Sequence, residues 1–286
     1  MSAPTVPPPI LPGPIVRPTR GLLPVLLSVP HSGRHYPGWL LDLARSGRAS
    51  LENLEDPLVD RLVWRAVELG CGAVIARAPR AAIDCNRGED EIDPSVIADA
   101  PVRGIGPRAR GGLGIVPART QRDGYLWRRA ISRAQLEERL EAAHRPFHDA
   151  IAAELGAIRR YHGTALLIDC HSMPPPRDSA PAVVIGDRHG RSARPWLVQE
   201  AMALVRAMGF QARLNDPFAG GHVVDRHGRP GHGIHAIQVE IDRRLYLDEG
   251  FREAGPGFDS IARLIEGLAA GLGEALLGRQ APAAAE

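Results

Sequence analysis

Lysine is absent from all 286 residues, so each of the 35 basic side chains is an arginine. That absence excludes enzymes that work through a Schiff-base lysine, and P-loop proteins that need a phosphate-binding lysine. Cysteine is scarce. Cys71, Cys85 and Cys170 form no C-x-x-C pair, which argues against a disulfide framework and suits reduced thiols in a cytoplasm. An excess of one charge is also lacking, because 33 acidic residues offset the arginines to a net +2 and no long basic run marks a nucleic-acid arm. No uncharged run is long enough to span a membrane. Seven prolines, from Pro4 to Pro18, break up the first twenty residues, which therefore form neither a helix nor the apolar core of a signal peptide. The expectation is a cytoplasmic protein with neither nucleic-acid nor membrane partners.

What is present reads as a single globular domain. Hydrophobic residues make up 44% and charged residues 24%, which is ordinary for a packed chain and leaves the fold to be read from pattern. Residues 1–20 read as a Pro-rich extended arm, 21–279 as one domain and 280–286 as a frayed tail. Short apolar runs alternate with helical patterns: Val25–Val29, then Asp56–Leu69, Ala73–Ala76, Ser132–Tyr161 and Ala165–Ile168. Ala182–Ile185, a helix over Trp196–Met208, Ala236–Ile241 and a closing helix over Phe258–Leu277 follow. This alternation predicts an α/β fold: a mostly parallel sheet with helices on both faces.

The helix near Asp56 has an acidic N-cap candidate and Pro57 at its first position. From Ser132 a Ser-x-x-Gln capping box opens a longer helix, which Pro146 is expected to kink or divide and which serves only to cover the sheet. Residues 88–124 are rich in Gly, Pro and Arg without apolar periodicity, and read as a long excursion of the kind that rims active sites.

Chemistry-bearing residues cluster where the apolar strands end. Val25–Val29 runs into His31, Ser32 and Gly33, and Ala165–Ile168 runs into Asp169, Cys170 and His171. Open α/β sheets bind ligands at the carboxyl ends of their strands. Asp169 and His171 share one strand face, so the carboxylate is placed to ligate a metal or to orient the imidazole. On the third run, Gln238, Glu240 and Asp242 lie opposite Ile237, Val239 and Ile241; a carboxylate there is either paired with Arg243 or Arg244, or kept for acid–base work. Asp56 and Asp60 sit one helical turn apart. His31, Asp56 and His171 match the three-ligand inventory of a catalytic zinc site with one position open. Asn86 and Arg87 offer an amide beside a planar guanidinium, suited either to gripping a carboxylate or to a surface salt bridge. The glycine-rich run before His222, with Arg226, Arg229, His232 and His235 beyond it, brings further amides and cations within reach of a substrate.

The motifs Val-Pro-His-Ser-Gly (29–33), Glu-Asp-Pro-Leu-Val-Asp-Arg-Leu (55–62), Asp-Cys-Asn-Arg (84–87), Asp-Cys-His-Ser (169–172), Gly-Gly-His (220–222) and Gln-Val-Glu-Ile (238–241) together resemble the N-formylglutamate amidohydrolase family over about residues 22–250. More distantly the chain is similar to zinc carboxypeptidases and aspartoacylases. The resemblance implies a three-layer α/β/α sandwich around a mixed sheet. It also implies Zn2+ held by His31, Asp56 and His171, with Glu240 as general base and Asn86 with Arg87 gripping the substrate carboxylate. Arg226 is a further substrate-binding candidate. The implied reaction is hydrolysis of the amide of a small N-acyl acidic amino acid, foremost N-formylglutamate to formate and glutamate.

Two departures stand out. The wider group carries its acidic ligand three residues after the first His, where this chain has Arg34; Asp56 takes that role in this reading, with Asp60 as its substitute. After Gly220 and Gly221 the chain reads Asp225-Arg226-His227-Gly228, where the family pattern is similar to Arg-His-Tyr-Gly, and this bears on the acyl substrate. The alternatives are a zinc hydrolase of another N-acyl amino acid or short peptide, and a non-catalytic binding protein of the same fold. The latter would lack a ligand or the base, and this chain has all of them.

Overall fold

The computed structural model describes residues 11–100, 105–175, 180 and 182–279. Seven strands form the main sheet: β1 (Ile15–Arg17), β2 (Val25–Val29), β3 (Gly72–Ile75), β6 (Ala165–Met173), β7 (Val183–Gly186), β8 (Ala212–Leu214) and β9 (Ile234–Asp242), with the two-residue strands β4 (Arg119–Thr120) and β5 (Gly124–Tyr125) paired separately. The order is β1-β3-β2-β6-β9-β7-β8. The central strands β3, β2, β6 and β9 run parallel, β1 is antiparallel to β3, and the parallel pair β7 and β8 runs antiparallel to β9. The sheet is therefore mixed and mostly parallel, as expected.

Continuous apolar runs become central strands because both faces are covered. Val25, Leu27, Val29, Ile168 and Ile237 point into a core shared with helices Pro195–Ala207 and Phe258–Gly278. Leu26, Val74, Leu167 and Ala236 point the other way, against Phe147, Ile151 and Leu155 of helix Arg145–His162. Truncating a side chain as buried as Phe147 costs about 3–5 kcal/mol in comparable cores. The helix covers only the amino-terminal part of its face. Farther along, on the same face as Leu167 and Ala236, side-chain alternation places Asp169, His171, Gln238 and Glu240, so the polar residues occupy the stretch beyond the helix.

Three expectations need correction. Residues 1–10 and 280–286 lie outside the described residues, but 11–20 are part of the fold: Leu11 is buried and Ile15–Arg17 form the β1 edge strand. The excursion over 88–124 does not merely rim the site. Ile97, Ile115 and Val116 from it pack with Leu40, Leu51, Leu126 and Leu136 into a separate core. Asp56 does not cap a helix, which starts only at Val59 after Leu58 at φ 59°. The Asp56 N–H is donated to the His31 carbonyl at 3.0 Å and Tyr246 donates its hydroxyl to the Pro57 carbonyl at 2.6 Å, so this segment is held outside the helix. The Ser132 capping box is present, and the helix it opens is divided next to Pro146 as expected: a π-helical segment, Leu140–His144, ends where helix Arg145–His162 begins, with Pro146 in its first turn.

Candidate metal centre and catalytic cavity

The site assembles from four chain segments at the carboxyl end of the sheet. His31 follows β2 by two residues, and its loop presses so closely on the Arg77–Ala78 backbone that a Cβ on Gly33 would stand 2.0 Å from the Ala78 carbonyl oxygen. Only glycine fits there, which accounts for the His-Ser-Gly sequence. Ser32 ties the second segment to the first: its hydroxyl donates to the Asp56 carbonyl at 3.0 Å and accepts from the Asp60 N–H at 3.2 Å. His171 lies near the end of β6, side by side with Glu240 of β9, as Asp169 is with Gln238.

His31, Asp56 and His171 converge, each only 2% exposed. Asp56 Oδ2 lies 3.1 Å from His31 Nδ1 and 2.9 Å from His171 Nδ1, and the two Nδ1 atoms are 3.1 Å apart. Asp60 is elsewhere, in an ion pair at 2.6 Å with Arg34. The arginine at the position where the wider group carries an acid therefore occupies the alternative carboxylate.

The outer nitrogens of both rings are taken. His31 Nε2 contacts Asp84 Oδ1 at 2.7 Å, and His171 Nε2 contacts Asp169 Oδ2 at 2.9 Å. Ser28 donates to the other Asp169 oxygen at 2.7 Å, and Arg80 donates to Asp84 at 2.9 Å. A carboxylate on Nε2 fixes the tautomer with its proton there, so both Nδ1 lone pairs aim at the point that Asp56 also faces. Two lone pairs 3.1 Å apart repel unless positive charge lies between them. The surrounding carboxylates also favour positive charge here: His171 is raised well above its ordinary value, burial opposing the charge but Asp169 and Asp56 outweighing it. Asp56 lies far below the usual carboxylate range, its burial outweighed by the attraction of His171 and His31, whose Nδ1 atoms face it. The donor set of two imidazoles and a carboxylate, each histidine backed by an acid, fits a divalent zinc. Asp84 and Asp169 each hold one imidazole by its outer nitrogen; of the two, only Asp169 is marked for that part by the sequence.

Glu240 is buried on the same cavity wall and accepts a hydrogen bond from Gln238 Nε2 at 2.8 Å. Its carboxyl is raised above its ordinary value, first by burial and then by the Asp56 charge, with His171 and His31 opposing. The cavity, about 680 Å³, is lined by His31, Asp56, His171 and Glu240 together with Arg80, Arg87, Arg108, Arg119, Arg188 and Arg243. Of these six arginines sequence reasoning had singled out only Arg87 as a substrate contact, and Arg243 only as a partner for Glu240. Arg87 is 8% exposed, with Nε and Nη1 donated to the carbonyls of Leu113 and Asn86. Asn86 is heavily engaged: Oδ1 accepts from the Val223 N–H at 2.9 Å, and Nδ2 lies 3.3 Å from Gln238 Oε1 and 3.1 Å from His171 Nε2. It packs so tightly on Gly221 that a Cβ there would lie 2.3 Å from its side chain. Arg226 does not line the cavity; Val223, Val224 and His227 face inward from helix His222–His227 and leave Arg226 exposed.

Comparisons with known proteins point the same way. The model of the family "N-formylglutamate amidohydrolase" matches residues 23–247. An N-formylglutamate deformylase from Pseudomonas putida is 31% identical over 241 residues, covering 80% of this chain and 84% of that one. The Pseudomonas aeruginosa deformylase is 32% identical over 243 residues with the same coverage. The crystal structure of N-formylglutamate amidohydrolase from Ralstonia eutropha JMP134 superposes with a TM-score of 0.83 at 28% identity, covering 92% of this chain and 98% of that one.

Proposed function

This chain belongs to the N-formylglutamate amidohydrolase family, and from that membership and its site we propose that it hydrolyses N-formylglutamate to formate and glutamate with the help of zinc. The observation that carries the reading is an arginine-lined cavity built over the His31, Asp56 and His171 cluster with Glu240 beside it. Such a cavity favours a small substrate with two carboxylates over a neutral one. A zinc ion held by His31, Asp56 and His171 would supply Lewis acidity, lowering the pKa of a water and polarising the formyl carbonyl.

The chain's own groups do the rest. Glu240, ionised, takes a proton from the attacking water and hands it to the departing glutamate nitrogen. Asp84 and Asp169 hold the two imidazoles in the required tautomer. Gln238, hydrogen-bonded to Glu240, fixes the orientation of the base. Arg87, its guanidinium oriented by the Leu113 and Asn86 carbonyls, offers its remaining N–H groups to a substrate carboxylate, and Arg188 and Arg243 extend the positive wall. Three buried free cysteines support a cytoplasmic site of action, and among the described residues no helix is long and apolar enough to cross a membrane.

The test is a substrate panel. N-formylglutamate is expected to exceed N-acetylglutamate and N-formylmethionine in kcat/KM by at least about tenfold, each tenfold being about 1.4 kcal/mol. A chain that prefers a neutral N-acyl amino acid or a peptide would overturn the assignment. Arg87→Lys keeps the charge but loses the planar guanidinium that the Leu113 and Asn86 carbonyls orient, so KM for N-formylglutamate should rise by roughly tenfold with a smaller change in kcat. An unchanged KM would remove Arg87 from the substrate contacts.

A further inference from the structure

A second group of histidines lies away from the catalytic cavity, where helix Arg145–His162 meets helix His222–His227. His144 closes the π-helical segment and His148 follows four residues later, both fully buried; His222 opens the other helix and is partly buried. None of the three lines the catalytic cavity. One ring nitrogen from each lies within 4.8 Å of the other two.

Among the described residues, His144 Nδ1, His148 Nε2 and His222 Nε2 are all buried without a hydrogen-bond partner. Three unsatisfied nitrogens in one place are costly, because each forfeits a hydrogen bond it would make in water. For His144 and His148 the opposite nitrogen explains this state. His144 donates its Nε2 proton to the Arg87 carbonyl at 2.8 Å, which leaves Nδ1 with a lone pair. His148 Nδ1 lies 3.0 Å from His227 Nε2, and with the proton donated from His148, its Nε2 is likewise a lone pair. Burial, the leading cause, also keeps these rings neutral: His144 and His148 lie below their ordinary value, and His222 is pushed down to about 4. A neutral imidazole whose far nitrogen is anchored to a protein acceptor is the arrangement in which histidine binds metals.

We propose that His144, His148 and His222 form a second metal site, separate from the catalytic one, for a divalent transition ion of the zinc class. Three imidazoles suit Zn2+, Co2+ or Ni2+ and are poor ligands for Mg2+ or Ca2+, which take oxygen. The Glu89 carboxylate, 3.9 Å from His144 Nδ1, is the candidate fourth ligand, although it is also paired with Arg145 at 2.8 Å. Exposed Arg226 lies near enough to oppose the added charge, whereas Glu89, Asp90 and Asp225 favour it. The ion would clamp the two helices together. Through the His144 bond to the Arg87 carbonyl it would also fix the backbone that carries a cavity arginine, so its role is structural and positioning.

The experiment counts Zn2+ and Co2+ bound by the full chain after chelator stripping and reloading, by elemental analysis. Wild type should hold about two ions, and His222→Gln or His148→Gln one. His171→Ala should also retain one, and its Co2+ form should show a visible d–d band that His222→Gln added to it abolishes. Zn2+ should raise the unfolding temperature of His171→Ala, and not of the double variant. His222 is the less buried ligand, so its substitution keeps the test open should His148→Gln fail to fold. Loss of all metal in His171→Ala shown by circular dichroism to be folded, or an equal metal count in wild type and His222→Gln, would overturn the second site and leave only a buried water among the rings. Because the His171→Ala arms do not depend on the catalytic metal, they stand apart from the proposed hydrolysis.

Discussion

Glu240→Gln should retain the metal and lose turnover of N-formylglutamate by roughly a hundredfold or more, the usual contribution of a positioned general base. The amide is nearly isosteric and can still accept the hydrogen bond that Gln238 donates to the carboxylate at 2.8 Å, so the strand and its neighbours keep their packing. What disappears is the site that takes the proton. Wild-type kcat/KM should also fall as pH falls through the Glu240 pKa, since the ionised form is the base. Burial raises that pKa above its ordinary value, so the acid limb is expected above the range of an exposed glutamate. The residual activity of Glu240→Gln should lack this limb. Near-normal turnover with a full complement of metal would exclude Glu240 as the base, and loss of the metal would make it a ligand instead.

His171→Ala has the larger structural consequence. It removes one of three converging donors and leaves the buried Asp56 and Asp169 carboxylates without the ring that now contacts both at 2.9 Å. Activity should fall to background and zinc at this site should be lost. A stability loss of about 3–5 kcal/mol is expected where a buried charge loses its partner. Asp169→Asn is the gentler companion. It leaves the three ligands in place but weakens the hold on the His171 tautomer, so zinc affinity should drop by about 10- to 100-fold. Equilibrium dialysis of both variants separates the effects: unchanged affinity in Asp169→Asn would mean that the acid is a structural partner alone.

The parts of the site that are legible in the sequence are those carried by buried parallel strands. Val25–Val29 and Ala165–Ile168 read as apolar runs because both faces are covered, and a polar cluster at the end of such a run marks the ligand-binding edge. His31, His171 and Glu240 stand out this way, and the fold brings them to one cavity. Edge strand β1 was not, since three residues flanked by proline carry no periodicity and are ordered only by pairing with β3. Asp84 was hidden for another reason: its contact with His31 spans 53 residues, and only the folded chain brings the two together. Arg226 was misplaced because a glycine-rich run before it conceals a short helix whose valines turn inward. The second histidine group left a signal that went unread, the four-residue spacing of His144 and His148 on one helical face, which also suits two metal ligands. His222 is separated from them in sequence and joins them only through the contact of two helices.

The central claim is that this site hydrolyses N-formylglutamate and depends on metal to do so. Formate release from N-formylglutamate, measured before chelator treatment, after it and after Zn2+ is restored, tests both halves at once. Turnover is expected in the first state, near-complete loss in the second and recovery in the third. Turnover that persists in protein shown by elemental analysis to be free of metal, or no formate from the zinc-loaded chain, would contradict it.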